Sequence, residues 1–263
     1  MLEQQTGDTR PAVLVFAGLD PSGGAGLAAD ITAINAQGAH AMPVLTVLTV
    51  QDNDRVHSVR ALASSEVEAQ ARALIAKIKI SAVKLGIIGS IANAQLIATL
   101  ARELRQTQPD LPLILDPVLA SGHGDNLAQD DPLAIMQILL PLATVVLPNL
   151  PEIARLCPQF EENDARAAHL LAQGCQYVLL KGGHASGAQV ENVCYSSAGT
   201  QHWQWPRLAG EFHGSGCTLA SALAGQLARG QSMESALLRA QEYCQAALQH
   251  AYPIASGQWM PQR

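Results

Sequence analysis

The run Val13-Leu14-Val15-Phe16-Ala17-Gly18-Leu19-Asp20-Pro21-Ser22-Gly23-Gly24-Ala25-Gly26 reads as a short buried strand entering a loop with four glycines in nine residues. The residues after it place Leu27, Ile31 and Ile34 on one helical face, and Gly38 is a suitable C′ glycine for that helix. A loop of free backbone at the carboxyl end of a buried strand is where open α/β sheets bind ligands. It is neither a Walker A loop, since no Gly-Lys-Ser/Thr follows, nor the Gly-x-Gly-x-x-Gly dinucleotide fingerprint.

The same alternation continues along the chain. Strands are predicted at about 12–17, 43–50, 82–86, 112–116, 143–147 and 177–181, with a hairpin over 192–196 and 201–205. Helices are predicted near 24–37, 65–79, 91–106, 130–140, 150–157, 163–174, 216–229 and 232–251. Strands alternating with helices point to an α/β fold, a mostly parallel sheet covered by helices. With 48% hydrophobic and 14% charged residues, the 263-residue chain favours one large core over two small ones. Aromatics are only 4%, so aliphatic side chains must fill it.

A formal charge of −6 and the lack of any Lys/Arg block argue against a nucleic-acid surface and for small ligands. The five cysteines show no Cys-x-x-Cys pair, which fits neither a disulfide framework nor a zinc site and suggests a reducing cytoplasm. No apolar run is long enough to cross a membrane. Residues 1–10 are polar and expected to be disordered, with a single domain over 11–263.

A second glycine loop, His213-Gly214-Ser215-Gly216-Cys217-Thr218-Leu219, runs into a helix whose apolar face carries Leu219, Leu223 and Leu227. A helix start offers unpaired N–H groups and roughly half a positive charge, and Gly214 and Gly216 let an anion approach them. Cys217 in that first turn is expected to have a lowered pKa, although a cysteine there also reads as a small buried hydrophobe.

Other strands end on polar residues. Leu113-Ile114-Leu115 runs into Asp116-Pro117-Val118, and Val145-Val146-Leu147 into Pro148-Asn149-Leu150-Pro151-Glu152. Prolines stop both strands, so Asp116, Asn149 and Glu152 fall on the edge where the glycine loops lie. Oxygen ligands beside a phosphate site suit Mg²⁺, while Glu152 also reads as a helix N-terminal charge. Lys181, one of four lysines, ends the strand before Gly182-Gly183, where it can meet a phosphate or form a structural ion pair. Asp30 is either a ligand contact or a solvated carboxylate, and Gln51 either reads a ring edge or belongs to a polar turn.

These blocks, together with Lys84-Leu85-Gly86 and Lys181-Gly182-Gly183-His184, resemble the ribokinase-like superfamily from about Ala12 to Ala251. Within it they are similar to the kinases of hydroxymethylpyrimidine and its phosphate, which make the pyrimidine half of thiamine. The resemblance implies a three-layer α/β/α sandwich, a homodimer, and ATP with Mg²⁺ as co-substrate and cofactor. It implies that Asp30 and Gln51 hold the aminopyrimidine, with Ala25, Ile87 and Val118 against the ring. Asp116 and Glu152 would organise the metal. Asn149, Lys181 and Ser215 would meet the nucleotide, Gly214 and Gly216 would cradle the transferring phosphoryl group, and Cys217 would accept the alcohol proton. One departure stands out: Gly122-His123-Gly124-Asp125 occupies the place of the family's Lys-Ser-Gly-Asp, which makes the second phosphorylation less secure than the first. The rival expectations are a pyridoxal or pyridoxine kinase of the same fold and a non-catalytic vitamin sensor.

Overall fold

The computed structural model describes residues 9–263, so the disorder expected over residues 1–10 falls almost wholly outside them. Nine strands form one sheet: β1 (Ala12–Leu19), β2 (His40–Gln51), β3 (Val56–Ala61), β4 (Ile80–Leu85), β5 (Leu113–Leu115), β6 (Val145–Val146), β7 (Tyr177–Leu180), β8 (Gln189–Ser196) and β9 (Gly199–Pro206). Their spatial order is β3-β2-β1-β4-β5-β6-β7-β8-β9. The six strands from β2 to β7 in that order are parallel, while β3 and the β8–β9 hairpin pair antiparallel at the two margins.

Eight helices cover it: α1 (Gly26–Ala36), α2 (Ser64–Ile75), α3 (Ile91–Thr107), α4 (Pro132–Leu139), α5 (Leu150–Leu156), α6 (Asn163–Ala172), α7 (Ser215–Ala228) and α8 (Met233–Gln249). Strand side chains alternate between faces, so each central strand feeds two cores. Leu14, Phe16, Leu85, Leu113 and Leu115 pack with α2 to α6. Val13, Val15, Ala17, Ile114 and Leu179 pack with α1, α7 and α8. Each fully buried side chain of this kind contributes about 1.5–3 kcal/mol. The three-layer expectation therefore holds.

Two glycines set how the chain enters its helices. Gly26, at φ +55°, sits where a Cβ would overlap the Gly18 carbonyl, and Gly214, at φ +69°, where a Cβ would overlap that of Gly24. The first glycine loop thus folds back on its own strand, and the second lies backbone to backbone against the first. The structure also adds an element that the pattern did not predict: β3, whose Val-His-Ser-Val-Arg-Ala sequence carries no apolar alternation because it is a largely exposed edge strand.

Candidate active site

At the carboxyl ends of the parallel strands lies a cavity of about 860 Å³, reached by both glycine loops and by residues 116–124. Its floor is the start of α7. Gly214 is the N-cap and supplies no side-chain acceptor, so the amides of Ser215, Gly216 and Cys217 find no partner among the described residues. A Cβ on Gly216 would stand 3.1 Å from the Lys181 ammonium and 3.6 Å from Asp116 Oδ2. The helix start therefore faces the charged strand ends directly.

Those ends form a compact group. Lys181 follows β7 and donates to Asp116 Oδ1 at 2.9 Å, with Glu152 Oε2 at 3.9 Å. Burial works against the Lys181 charge, but Asp116 and Glu152 outweigh it and hold the ammonium above its usual range. Burial also pushes the Glu152 carboxyl up to about 7, against the pull of Lys181 and with the repulsion of Asp116. Asn149 and Glu152 form a capping box at α5: Glu152 N–H donates to Asn149 Oδ1 at 2.8 Å, and Asn149 N–H to Glu152 Oε2 at 2.7 Å. Glu152 therefore caps the helix and also lines the cavity. Asp116 Oδ2 and Glu152 Oε1 take no hydrogen bond among the described residues. No cluster of three or more His, Cys, Asp or Glu side chains suited to a metal occurs among them. Two carboxylates with open oxygens fit Mg²⁺, which keeps waters and takes further oxygens from a nucleotide.

The cavity is also lined by Ala25, Gln51, Ile87 and Val118, all partly exposed, with Gln51 Nε2 donating to Thr49 Oγ1 at 2.8 Å. Two expectations need correcting. Asp30 does not reach the cavity: it is fully buried in α1, with both oxygens 2.8 and 2.9 Å from Lys84 Nζ and Oδ1 accepting from Ser221 Oγ at 2.6 Å. Neither direct ring contact nor a solvated carboxylate describes it. Burial pushes the Asp30 carboxyl up, more than Lys84 and the Ser221 hydroxyl draw it down, and it works against the Lys84 ammonium, which Asp30 nevertheless keeps above its ordinary value. The signal was Lys84 itself, a lysine inside a mostly apolar strand.

The second correction concerns Cys217. Burial pushes its thiol up to about 11, outweighing the favourable field of Lys84, while Asp116 and Asp30 push it higher. The helix N-terminus does not win that competition. Cys157, Cys175, Cys194 and Cys244 are buried and free.

Sequence reasoning also missed the arrangement around His213. Its Nε2 is 2.8 Å from Asp20 Oδ2 and its Nδ1 2.9 Å from Gln258 Oε1. Asp20 also accepts from the amides of Ser22 and Ala25 at 2.8 and 2.7 Å, so one carboxylate holds the first glycine loop and the entry to the second. Burial disfavours the Asp20 charge, but His213 and Ser22 bring its pKa below the usual value. His123, next to the Gly122 that takes the place of the family lysine, has Nδ1 2.9 Å from the Asp54 carbonyl and lies near the Asp54 and Glu211 carboxylates at 3.9 and 3.8 Å.

The phosphomethylpyrimidine kinase family matches residues 20–261. A hydroxymethylpyrimidine/phosphomethylpyrimidine kinase of Streptomyces coelicolor is 41% identical over 256 residues, covering 95% of this chain and 93% of its own. A thiamine biosynthesis bifunctional protein of Geobacter sulfurreducens is 34% identical over 254 residues, covering 94% of this chain and 51% of its own. Among solved structures, a Bacillus subtilis pyridoxal kinase in an ADP complex superposes with a TM-score of 0.84 at 25% identity, covering 97% of both chains. The ribokinase-like expectation for the fold stands.

Proposed function

Because the chain belongs to the phosphomethylpyrimidine kinase family, we propose that this phosphotransferase moves the γ-phosphoryl group of ATP to hydroxymethylpyrimidine and then to its monophosphate, in thiamine biosynthesis. The observation that carries the reading is the unpartnered start of α7 facing Lys181 and Asp116 across the side-chain-free Gly216. Phosphoryl transfer needs alignment and charge neutralisation more than covalent chemistry, and this is an alignment of donors around one point.

Lys181, Asn149 and Ser215 meet the nucleotide phosphates, and the Gly214 to Cys217 amides surround the group in transit. Asp116 and Glu152 are the residues that would hold Mg²⁺, which when bound neutralises phosphate charge. Gln51 reads the polar edge of the ring, and Ala25, Ile87 and Val118 pack against its faces. Asp30 acts one step back by fixing Lys84, whose ammonium favours a thiolate at Cys217. The hydroxymethyl oxygen lies beside Cys217, whose deprotonated sulfur takes the proton. A loose transition state lets that proton leave late, so a small thiolate fraction suffices.

A second reading, pyridoxal kinase activity, is favoured by the fold match to a pyridoxal kinase. Both rings offer a hydroxymethyl group beside a heteroaromatic nitrogen. Phosphorus NMR of reactions with ATP, Mg²⁺ and each alcohol decides between them: the expected result is kcat/KM higher on the pyrimidine, with monophosphate and then diphosphate appearing. Accumulation of monophosphate alone restricts the enzyme to the first step, in keeping with His123 turned towards carboxylates. Turnover of pyridoxal alone overturns the reading. The proposal includes a kinase domain over residues 11–263, a homodimer and a cytoplasmic location. Five free cysteines suit a reducing compartment, and no helix among the described residues is long and apolar enough to cross a membrane.

A further inference from the structure

Arg263 lies outside the cavity lining, yet its guanidinium reaches both glycine loops. Nε donates to Thr218 Oγ1 at 2.8 Å and Nη2 to the Gly24 carbonyl at 2.5 Å, with the His213 and Gly214 carbonyls at 3.4 and 3.5 Å. Residues before it fix its approach: Trp259 bridges to Phe212, and Gln262 N–H donates to the Ala247 carbonyl at the end of α8 at 2.9 Å. Thr218 is fully buried and passes the contact on, since its own hydroxyl donates to the Gly214 carbonyl at 2.9 Å.

The contact has a physical purpose. The two loops meet so closely that Gly214 has no room for a Cβ against the Gly24 carbonyl. Carbonyl oxygens from both loops therefore converge on one spot, where buried acceptors require donors. A planar guanidinium can serve several at once, and a carbonyl turned towards it turns the next amide of its loop away from it. All its acceptors are neutral, and no carboxylate among the described residues pairs with it. Burial pulls the Arg263 pKa down, while Cys217 and Asp30 are among the groups that feel its charge. An arginine stays ionised in such a place.

On the functional reading above, we infer that Arg263 is a positioning residue for phosphoryl transfer. It staples the two glycine loops together and sets a guanidinium, whose hydrogen bonds all go to neutral acceptors, behind the Gly214 to Cys217 amides. The charge adds to the field of the α7 start, and the staple keeps the amides aimed at the cavity.

The test compares wild type, Arg263→Ala and Arg263→Lys on the pyrimidine alcohol and on pyridoxal, with KM, kcat and Tm, and with ethylguanidinium added at millimolar concentration. Arg263→Ala is expected to lower kcat about 10- to 100-fold, with KM for the alcohol changed by less than about threefold. Ethylguanidinium is expected to restore part of that loss. Arg263→Lys, which keeps the charge and loses the fork, is expected to fold and to lose about 3- to 10-fold. A folded Arg263→Ala with wild-type kcat overturns the inference. So does a loss that follows Tm and is recovered neither by lysine nor by ethylguanidinium. Should Arg263→Ala prove insoluble, wild-type kcat in Arg263→Lys overturns it as well. A wild-type chain that turns over neither alcohol overturns the functional reading and this inference with it, whereas an active wild type beside an unaffected Arg263→Ala overturns the inference alone.

Discussion

At Cys217 a helix N-terminus and a lysine favour the thiolate, while a water-poor pocket and two carboxylates oppose it, and the opposition wins. A thiol pushed up to about 11 stays protonated through neutral pH. Alkylation of Cys217 by iodoacetamide, followed by peptide mass spectrometry, is therefore expected to climb with pH and to reach no plateau below about pH 10. A plateau near neutrality would restore the lowered-pKa reading. Cys217→Ala is expected to lower kcat by about 10²- to 10⁴-fold if the sulfur takes the alcohol proton. Unchanged kcat would make it a packing residue. Glu152 offers an independent check through stability. Its folded pKa, about 7, is raised above the ordinary 4.5, so the folded state binds the extra proton between those values. Its contribution to stability is full below the unfolded pKa and is lost as pH rises through the folded one. Glu152→Gln keeps an oxygen for the Asn149 amide and removes the titration. In urea, wild-type stability measured against Glu152→Gln is expected to fall between about pH 5 and pH 7 and to level off above. A difference that rises over that range would show a carboxyl held below its ordinary value.

One buried ion pair joins three elements: Asp30 in α1, Lys84 in β4 and, through its hydroxyl, Ser221 in α7. Removing one partner leaves the other charge buried and alone, so Lys84→Met is expected to cost about 3–5 kcal/mol in urea unfolding, while Asp30→Asn combined with Lys84→Met recovers most of it. Equal losses in the single and double variants would show that packing, not charge, is what the pair supplies. This cluster also marks where the sequence stopped being legible. Strand ends such as Asp116 and Lys181 could be placed from local signals, because an apolar run followed by Pro or Gly fixes the edge on which the next side chain falls. The inward turn of Asp30 could not, since it depends on a lysine 54 residues away. For the same reason Arg263, whose partners lie 239 and 45 residues back at Gly24 and Thr218, gave no local sign of itself. β3 escaped for the opposite reason: an edge strand facing solvent needs no apolar period, and only its pairing with β2 defines it.

Across the whole molecule the parallel strands deliver their carboxyl ends to one rim, and the loops on that rim tie distant parts of the chain together. Residues 119–129 follow β5, at the middle of the sheet, yet Asp125 reaches the β2–β3 turn at its margin. There Arg55 grips both carboxylate oxygens, Nε to Oδ2 at 3.1 Å and Nη2 to Oδ1 at 2.5 Å, and Val56 N–H adds a third bond at 3.1 Å. That grip holds the Asp125 carboxyl well below the usual carboxylate range. Arg55 is largely exposed, so the pair adds little to global stability, and its consequence is local: it sets where residues 119–124 stand over the cavity. Arg55→Ala is therefore expected to leave Tm nearly unchanged while the amides of Ser121 and Gly124 exchange hydrogen faster. KM for the alcohol is expected to rise several-fold, by about 3- to 10-fold, because closing a freed loop then draws on binding energy. Saturating ATP and alcohol should slow that exchange again if the segment closes over bound substrate. Exchange that is equally slow in wild type and variant would mean that the Ser121–Asp125 turn holds itself, through its own hydrogen bonds at 2.9 Å, and that Arg55 only rests against it.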